Sequence, residues 1–325
     1  MARASRQWLE RLGVVSVGAF DHQCVTGRVP ELIRVAEGFH EKWIGKLADA
    51  ISARKESLRV IAIAGPSSSG KTTFIKRLTV QLLVNGVRPL SISLDDYYVD
   101  RERTVRDDAG EYDFEAIEAL DRVLLSEQLT RLLRGETVKV AHYDFVRGKS
   151  EPTGGKALAM EPGDVLLVEG IHGLNPELLA GIATSGQVFR IFIHPDQALP
   201  FDRLSVLAPE DVRLLRRIVR DRHQRNYSAA DTIARWPSVR RGDLVHVLPT
   251  MAYADAVFDS SLVYELSVLK TYAERYLLEV PATHPSFTTA HRLRRLIDQF
   301  VAIHPDHVPP TSVIREFIGG SGFDA

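Results

Sequence analysis

The middle of the chain alternates between two hydrophobic periods, and this alternation predicts strands separated by helices. Short apolar, β-branched runs are typical of strands that are buried on both faces of a sheet. Between these runs, apolar residues recur every three to four positions, as on the buried face of an amphipathic helix. The predicted strands are 58–64, 89–94, 164–168, 188–193 and 256–264, and the predicted helices are 30–55, 72–85, 114–134, 209–225 and 289–302. This order predicts an α/β fold with a doubly wound, mostly parallel sheet of about five strands.

These elements divide the chain into a core and two extensions. The core is expected to cover residues 57–265, with its functional site at the carboxyl ends of the parallel strands. The N-terminal extension, 1–56, and the C-terminal extension, 266–325, are predicted to be mainly helical and carry no recognisable chemical motif.

Two parts of the core are expected to stand apart from the sheet. Alternating residues from 137 onwards, broken by a loop over 147–156, predict a hairpin lobe at about 137–162 that projects from the sheet. Tyr143 and Phe145 lie two apart, so they share one face of this hairpin. They form a flat slot for a planar acceptor, or they simply pack on the sheet. The second part, at about 209–242, is expected to form a helical lid.

A phosphate-binding motif follows the first predicted strand. Residues 65–72 read Gly-Pro-Ser-Ser-Ser-Gly-Lys-Thr and fit G-x-x-x-x-G-K-[ST], the P-loop whose backbone N–H groups wrap a nucleotide's phosphates. Lys71 belongs at the β- and γ-phosphates, and the Thr72 hydroxyl at Mg²⁺. The candidate nucleotide-binding residues are Gly65, Pro66, Ser67, Ser68, Ser69, Gly70, Lys71, Thr72 and Thr73. The motif and its strand–loop–helix context predict a P-loop NTPase fold that binds ATP or GTP together with Mg²⁺.

Acidic residues close the two strands that are expected to flank this loop. Glu169 ends the third predicted strand and is a candidate ligand of Mg²⁺, directly or through water. Asp95 and Asp96 end the second, where one carboxylate could accept a proton from an alcohol that attacks the γ-phosphate. Because side chains alternate along an extended strand, only one of the two can face the pocket. We predict that Asp95 is this base, and that Asp96 faces away or reaches the metal through water.

The predicted helix over 209–225 is crowded with arginines. Arg213, Arg217 and Arg220 share one face, and Arg216 lies beside them. Next to a triphosphate, such a helix would stabilise the charge that develops during phosphoryl transfer. Taken alone, the same pattern also fits a solvated basic face.

Bulk composition changes this picture little. The chain has 325 residues, of which 45% are hydrophobic and 26% charged, and its formal net charge is −1. This charge gives no general attraction to nucleic acid or to an anionic membrane, so neither is expected as a partner. A single cysteine rules out an internal disulfide framework and suits a reducing compartment. We therefore expect a cytoplasmic protein. We expect no zinc site, since no zinc-binding motif occurs.

Several segments, taken together and in chain order, resemble the uridine kinase and phosphoribulokinase family, and the uridine kinase branch in particular. The likeness covers roughly residues 57–265. It is carried by the phosphate loop with Thr73-Phe74, Ser93-Leu94-Asp95-Asp96-Tyr97-Tyr98, Tyr112-Asp113-Phe114, His142-Tyr143-Asp144-Phe145, Val168-Glu169-Gly170 and Arg216-Arg217-Ile218-Val219-Arg220-Asp221.

The resemblance implies ATP- or GTP-dependent phosphorylation of the 5′-hydroxyl of a uridine- or cytidine-like nucleoside. It also implies roles for individual residues: Asp95 as the base, Asp113 on the ribose hydroxyls, Tyr98, Tyr143 and Phe145 around the nucleoside, Thr72 and Glu169 at Mg²⁺, and Arg217, Arg220 and Arg225 on the lid. Lys71, Arg220 and Arg225 join Asp95 as candidate catalytic residues. Because family members commonly form dimers or tetramers, a homodimer or homotetramer is a further expectation.

One departure from the family pattern concerns the acceptor. Nucleoside kinases of this type carry a histidine shortly after Tyr-Asp-Phe, whereas residues 146–149 here read Val-Arg-Gly-Lys. Either Arg147 or Lys149 then compensates, or the acceptor is a sugar phosphate or a pantothenate-like alcohol, whose anionic group these two cations could meet. A nucleotide-binding regulatory protein that uses its extensions as contact surfaces is the third hypothesis.

Overall fold

The computed structural model describes residues 2–106, 110, 112–196 and 207–323, and a parallel sheet lies at the centre of this part of the chain. The strands are β1 (Val60–Ala64), β2 (Pro89–Ser93), β3 (Val138–Lys139), β4 (His142–Asp144), β5 (Lys149–Glu151), β6 (Ala157–Leu158), β7 (Val165–Glu169), β8 (Val188–His194) and β9 (Ala256–Asp259). The central sheet has five strands in the order β2–β7–β1–β8–β9, and every neighbouring pair in it is parallel. The predicted α/β fold with a parallel sheet is therefore confirmed.

The helices surround this sheet. They are α1 (Ala2–Arg11), α2 (Val17–Val25), α3 (Val29–Ser52), α4 (Lys71–Val84), α5 (Arg122–Leu133), α6 (Pro209–Gln224), α7 (Ala229–Gly242), α8 (Glu265–Leu278), α9 (Phe287–Ile297) and α10 (Arg315–Ile318). Strand β1 shows why both faces of the sheet need cover: Ile61 and Ile63 pack with α3 and α4, whereas Val60, Ala62 and Ala64 pack with α5 and the hairpin. None of these helices combines the length and apolarity needed to cross a bilayer.

The two extensions are joined in a single hydrophobic cluster. It unites apolar side chains of α2, α6, α7, α8, α9 and α10, including the fully buried Phe20, Leu215, Leu293 and Phe317. The predicted lid helix α6 therefore has apolar neighbours from both ends of the chain. The apolar face of α6 is buried against these neighbours, because an amphipathic helix gains most of its stability from packing that face.

The structure corrects several element boundaries. The predicted helix 114–134 begins only with α5 at Arg122, where the Asp121 carboxylate accepts a hydrogen bond from the Leu124 amide as an N-cap. The predicted loop 147–156 contains β5, which pairs with β4 around a turn at residues 145–148. The fifth sheet strand stops at Asp259 rather than at residue 264, because the Asp259 carboxylate accepts hydrogen bonds from Ser261 and turns the chain.

Candidate active site

The phosphate loop joins β1 to α4 and is held by its own lysine. Lys71 Nζ donates hydrogen bonds to the carbonyl oxygens of Gly65 (2.7 Å) and Pro66 (3.1 Å). Gly70 has φ +87°, which favours glycine, and a Cβ at Gly65 would collide with the Ile193 carbonyl. Both glycines of the motif are thus required by the backbone path, and the lysine preserves the loop's shape.

The N-terminus of α4 faces the same cleft. The Thr72 side chain is exposed there, whereas Thr73 is buried. The Thr73 amide donates a hydrogen bond to Glu316 Oε2 at 3.0 Å. Amides in the first turn of a helix have no partner within the helix, so they bind anions readily.

The acids predicted to end two strands do lie at neighbouring strand ends. Strands β2 and β7 are adjacent, and Ser93 and Glu169 are register partners. Only β7 of the two also neighbours β1, so the prediction that Asp95 follows a strand next to the phosphate loop is wrong. Ser93 Oγ donates a hydrogen bond to Glu169 Oε1 at 2.9 Å. Burial and, to a lesser extent, the Asp95 carboxylate raise the pKa of Glu169 to about 6, while Lys71 opposes the rise. The three charged groups therefore interact across one cleft.

Asp95 and Asp96 point in different directions, but they lie in a short 3₁₀ helix, Leu94–Tyr97, and not on the extended strand whose alternation predicted this. Asp95 is exposed to the cleft, where the surrounding protein raises its pKa and the charges of Lys71 and Arg225 lower it. Asp96 instead contacts the hairpin, at 3.1 Å from His142 Nδ1, and accepts a hydrogen bond from the Tyr143 amide. Asp95 is therefore the carboxylate that could meet an acceptor hydroxyl.

The oxygen ligands at this cleft fit an ion that binds mainly phosphate and water. Mg²⁺ in nucleotide sites is usually held by one or two protein oxygens together with substrate phosphates. Glu169 and the exposed Thr72 hydroxyl are of this type. Within the described ranges, no group of three or more His, Cys, Asp or Glu residues could hold a metal by itself. The residues present thus suit a metal that arrives with the nucleotide.

Helix α6 is fixed to the phosphate loop by its arginines. Arg213 Nε donates a hydrogen bond to the Ser67 carbonyl at 2.9 Å, and Arg217 Nη1 donates to Ser67 Oγ at 2.8 Å. The fully buried Arg216 bonds Glu265 at 2.7 Å and the Ser260 carbonyl at 2.9 Å. Arg216 Nη1 also donates to the Ser68 carbonyl at 3.4 Å, so three arginines hold the loop in place, whereas the sequence predicted only a charged face.

The far end of the same helix gathers its arginines around one acid. Asp221 is buried and lies 2.8 Å from Arg220, 3.4 Å from Arg217 and 3.8 Å from Arg225. The Arg225 side chain is 51% exposed and close enough to Asp95 to lower the pKa of that carboxyl. Sequence reasoning missed Asp221, although its spacing of four from both Arg217 and Arg225 is the signal for a helical ion pair.

The predicted aromatic slot is only partly open. Tyr98 and Tyr143 are buried, with their ring centroids 5.6 Å apart, and the Tyr98 hydroxyl donates to the Phe114 carbonyl at 3.0 Å. Phe145 is 58% exposed and lies 5.0 Å from Tyr143, centroid to centroid. Phe145 thus offers a surface to an acceptor, while the two tyrosines support it from behind.

Two carboxylates near this slot differ from expectation. The Asp113 carboxylate accepts a hydrogen bond from the Glu115 amide at 3.0 Å, so it is turned towards its own backbone. Glu115 Oε2 is buried, with no hydrogen-bond partner in the part of the chain that the structure describes. Burial and, to a lesser extent, the Asp243 charge raise the pKa of Glu115 to about 7, while Arg217 opposes the rise. No motif marks Glu115, and sequence reasoning missed it.

The two basic hairpin residues differ in how they are paired. Lys149 Nζ lies 2.7 Å from Glu102 and 3.3 Å from Asp100, and Arg147 lies 3.5 Å from Asp144. The ion pairs of Lys149 turn this cation towards acids of the neighbouring loop, whereas the Arg147 side chain remains 77% exposed. The placement of Lys149 therefore does not support its facing an anionic acceptor.

Comparisons with known proteins agree with this geometry. A family model described as Phosphoribulokinase / Uridine kinase family matches residues 60–267. A uridine kinase from Staphylococcus haemolyticus is 30% identical over 201 residues, covering 61% of this chain and 86% of that protein. A uridine kinase from Halalkalibacterium halodurans is 28% identical over 199 residues, covering 61% and 84%. A solved structure, a putative fructose transport system kinase from Silicibacter sp. TM1040, superposes with a TM-score of 0.46 and 17% identity over 66% of this chain and 98% of its own.

Proposed function

Because the chain belongs to the phosphoribulokinase/uridine kinase family, we propose that it transfers the γ-phosphoryl group of ATP or GTP to the 5′-hydroxyl of a nucleoside-like acceptor. The observation that carries this proposal is the position of Asp95. It is exposed to the cleft after β2, two strands away from β1 and the phosphate loop, yet close enough to Lys71 for their charges to interact. A base in that position lies between the phosphate site and the aromatic hairpin.

The cleft residues suit each part of an in-line transfer. The acceptor oxygen forms a bond to the γ-phosphorus, the bond from that phosphorus to the bridging oxygen breaks, and Asp95 takes the acceptor's proton. Lys71 and Arg217 would stabilise the charge on the phosphates, and Thr72 and Glu169 would hold Mg²⁺. When bound, Mg²⁺ would neutralise part of the negative charge on the phosphates.

The acceptor side favours an uncharged, partly planar molecule. Phe145 exposes an aromatic ring, while Lys149 is paired with acids and so is not presented to an acceptor phosphate. The partnerless Glu115 oxygen is suited to bind an acceptor hydroxyl, because a buried acceptor atom without a hydrogen bond is costly. The curated relatives are named uridine kinases, which supports a nucleoside.

The direct test is consumption of MgATP against a panel of acceptors. Uridine, cytidine and purine nucleosides are compared with pentose phosphates and pantothenate, with Asp95→Asn as the inactive control. We expect one or more free nucleosides to raise turnover at least tenfold above hydrolysis by water. Preference for a phosphorylated acceptor would instead favour a sugar phosphate kinase, and no stimulation by any acceptor would contradict the transfer reaction.

A further inference from the structure

The C-terminal segment, residues 305–323, reaches the phosphate loop although it lies outside the family match. Val313 packs against Gly70, where a Cβ on the glycine would collide with Val313 Cγ1. The Phe317 ring stacks under the Arg216 guanidinium, with the Arg216 Cζ 5.1 Å from the ring centroid. Val313 and Phe317 are both fully buried, so this segment is a firmly packed part of the cleft wall.

Between these two anchors, Glu316 points at the phosphate site. Its Oε2 accepts a hydrogen bond from the Thr73 amide at 3.0 Å, and its own carbonyl accepts one from Gln224 Nε2 at 2.9 Å. Thr73 is among the residues predicted to bind the nucleotide, and its amide is one of the orphan donors at the start of α4. Burial lowers the pKa of Lys71, and the negative charges of Glu169, Asp95 and Glu316 oppose this decrease. The Glu316 carboxylate is therefore close enough to interact with Lys71 across the cleft.

We propose that Glu316 is an internal competitor for the phosphate site, whose carboxylate occupies the Thr73 amide and must be displaced when a nucleotide binds. The inference rests on the nucleotide binding proposed above. A carboxylate and a phosphate both bind favourably at a helix N-terminus, but two anions at one amide repel each other. Because Val313 and Phe317 anchor the backbone, displacement requires only rotation of the Glu316 side chain.

This contact sets the nucleotide affinity below the value that the loop alone would give. A protein whose binding-competent state is only partly populated shows a weakened apparent affinity. In the nucleotide-free protein, the same carboxylate stabilises α4 as a side-chain cap. Glu316 therefore stabilises the nucleotide-free protein and weakens nucleotide binding. Its removal should lower the stability and raise the nucleotide affinity.

The experiment measures calorimetric dissociation constants for MgATP and for inorganic tripolyphosphate with Mg²⁺. Glu316→Gln is compared with wild type and with Asp306→Asn, an exposed residue of the same segment that undergoes the same change in charge. We expect Glu316→Gln to bind both ligands about 3- to 30-fold more tightly, since a charged competitor is replaced by a neutral one. Its melting temperature without ligand should fall by about 1–3 °C. Asp306→Asn should change neither value.

Each other outcome counts against the proposal. Unchanged or weaker MgATP binding in Glu316→Gln would overturn it. Tighter binding of MgATP without tighter binding of tripolyphosphate would also overturn it, because tripolyphosphate carries the phosphates without the nucleoside and so reports the anion site alone. The variant Glu316→Ala repeats the measurement with the side chain shortened. If folded wild type and all variants bind neither ligand, the nucleotide site itself is absent and the proposed function falls as well.

Discussion

The two sides of the cleft are built differently. On the phosphate side, Ser67 receives two arginines and Lys71 holds two carbonyls of its own loop, although the Ser68 and Ser69 hydroxyls and Arg217 Nε are buried without a hydrogen-bond partner in the described residues. On the acceptor side, Phe145 is largely exposed and Glu115 has a buried oxygen without a partner in the described part of the chain. Apart from the Glu316 side chain at the Thr73 amide, the loop of the phosphate side is therefore held in place before a ligand binds, whereas the acceptor side has contacts left to make.

This difference indicates which side of the cleft determines acceptor specificity. Donors that are fixed before the ligand arrives need no reorganisation during the reaction, so they serve the step common to all acceptors. The acceptor contacts lie on the short β4–β5 hairpin and on the turn before α5, outside the central sheet. We infer that changes on the phosphate side alter the rate, and changes on the acceptor side alter which molecule is used.

The largest effect should come from the carboxylate between the two sides. Asp95→Asn removes the proton acceptor, so kcat should fall by about 10²–10⁴-fold, while the dissociation constant of MgATP stays within about twofold. Single-turnover kinetics and calorimetry measure the two quantities. Asp96→Asn is the control, because Asp96 contacts the hairpin instead. Equal losses in the two variants would contradict the separate roles of these neighbours.

A smaller loss is expected when the phosphate loop is released from α6. Arg217→Ala removes the hydrogen bond to Ser67 Oγ and a positive charge near the phosphates, so kcat should fall by about 10²–10³-fold. The matched control is Arg222→Ala on the same helix, whose guanidinium pairs with Glu279 instead. Steady-state kinetics with the best acceptor gives both values, and similar losses would show that Arg217 acts only through helix stability.

How far the sequence predicts this site depends on how local each part is. The phosphate loop, Asp95 and Glu169 each lie at or just after the carboxyl end of a strand that its own apolar run predicts, and the structure places them in one cleft because parallel strand ends meet at one edge of the sheet. The Glu316 contact joins residues 243 positions apart, and Arg213 reaches Ser67 across 146 positions. No periodicity encodes such pairs, since they depend on how the extensions pack against the core.

The acceptor side shows a different limit. Asp113 and Glu115 lie two residues apart, and the sequence offers no reason to prefer either. The structure separates them, because a backbone amide occupies the Asp113 carboxylate while Glu115 is left with a free buried oxygen. Likewise, Tyr143 and Phe145 share a strand face by alternation, yet one is buried and the other exposed at the turn. Local turn geometry, which propensity does not specify, decides both cases.

Acid should weaken the phosphate side through protonation of Glu169. The pKa of Glu169 is raised to about 6, chiefly by burial and then by Asp95, so this carboxylate becomes protonated as the pH falls through 6. We expect kcat/KM for MgATP to fall about tenfold between pH 7 and pH 5. In Asp95→Asn, the midpoint for MgATP binding should move to lower pH, since one negative neighbour is lost. An unshifted midpoint would mean that another group titrates.

The smallest effect should come from the exposed ring of the hairpin, and it should appear in acceptor binding alone. Phe145→Ala removes an aromatic surface that the Tyr143 ring supports, so the KM of the acceptor should rise by about 3- to 10-fold with kcat and the KM of MgATP unchanged. Val146→Ala, at a 90% exposed position of the same turn, is the control and should match wild type. Because Phe145 contributes little to the core, the melting temperature should stay the same. A loss of kcat in Phe145→Ala would instead show that the hairpin positions the acceptor for transfer, and that the two sides of the cleft do not act separately.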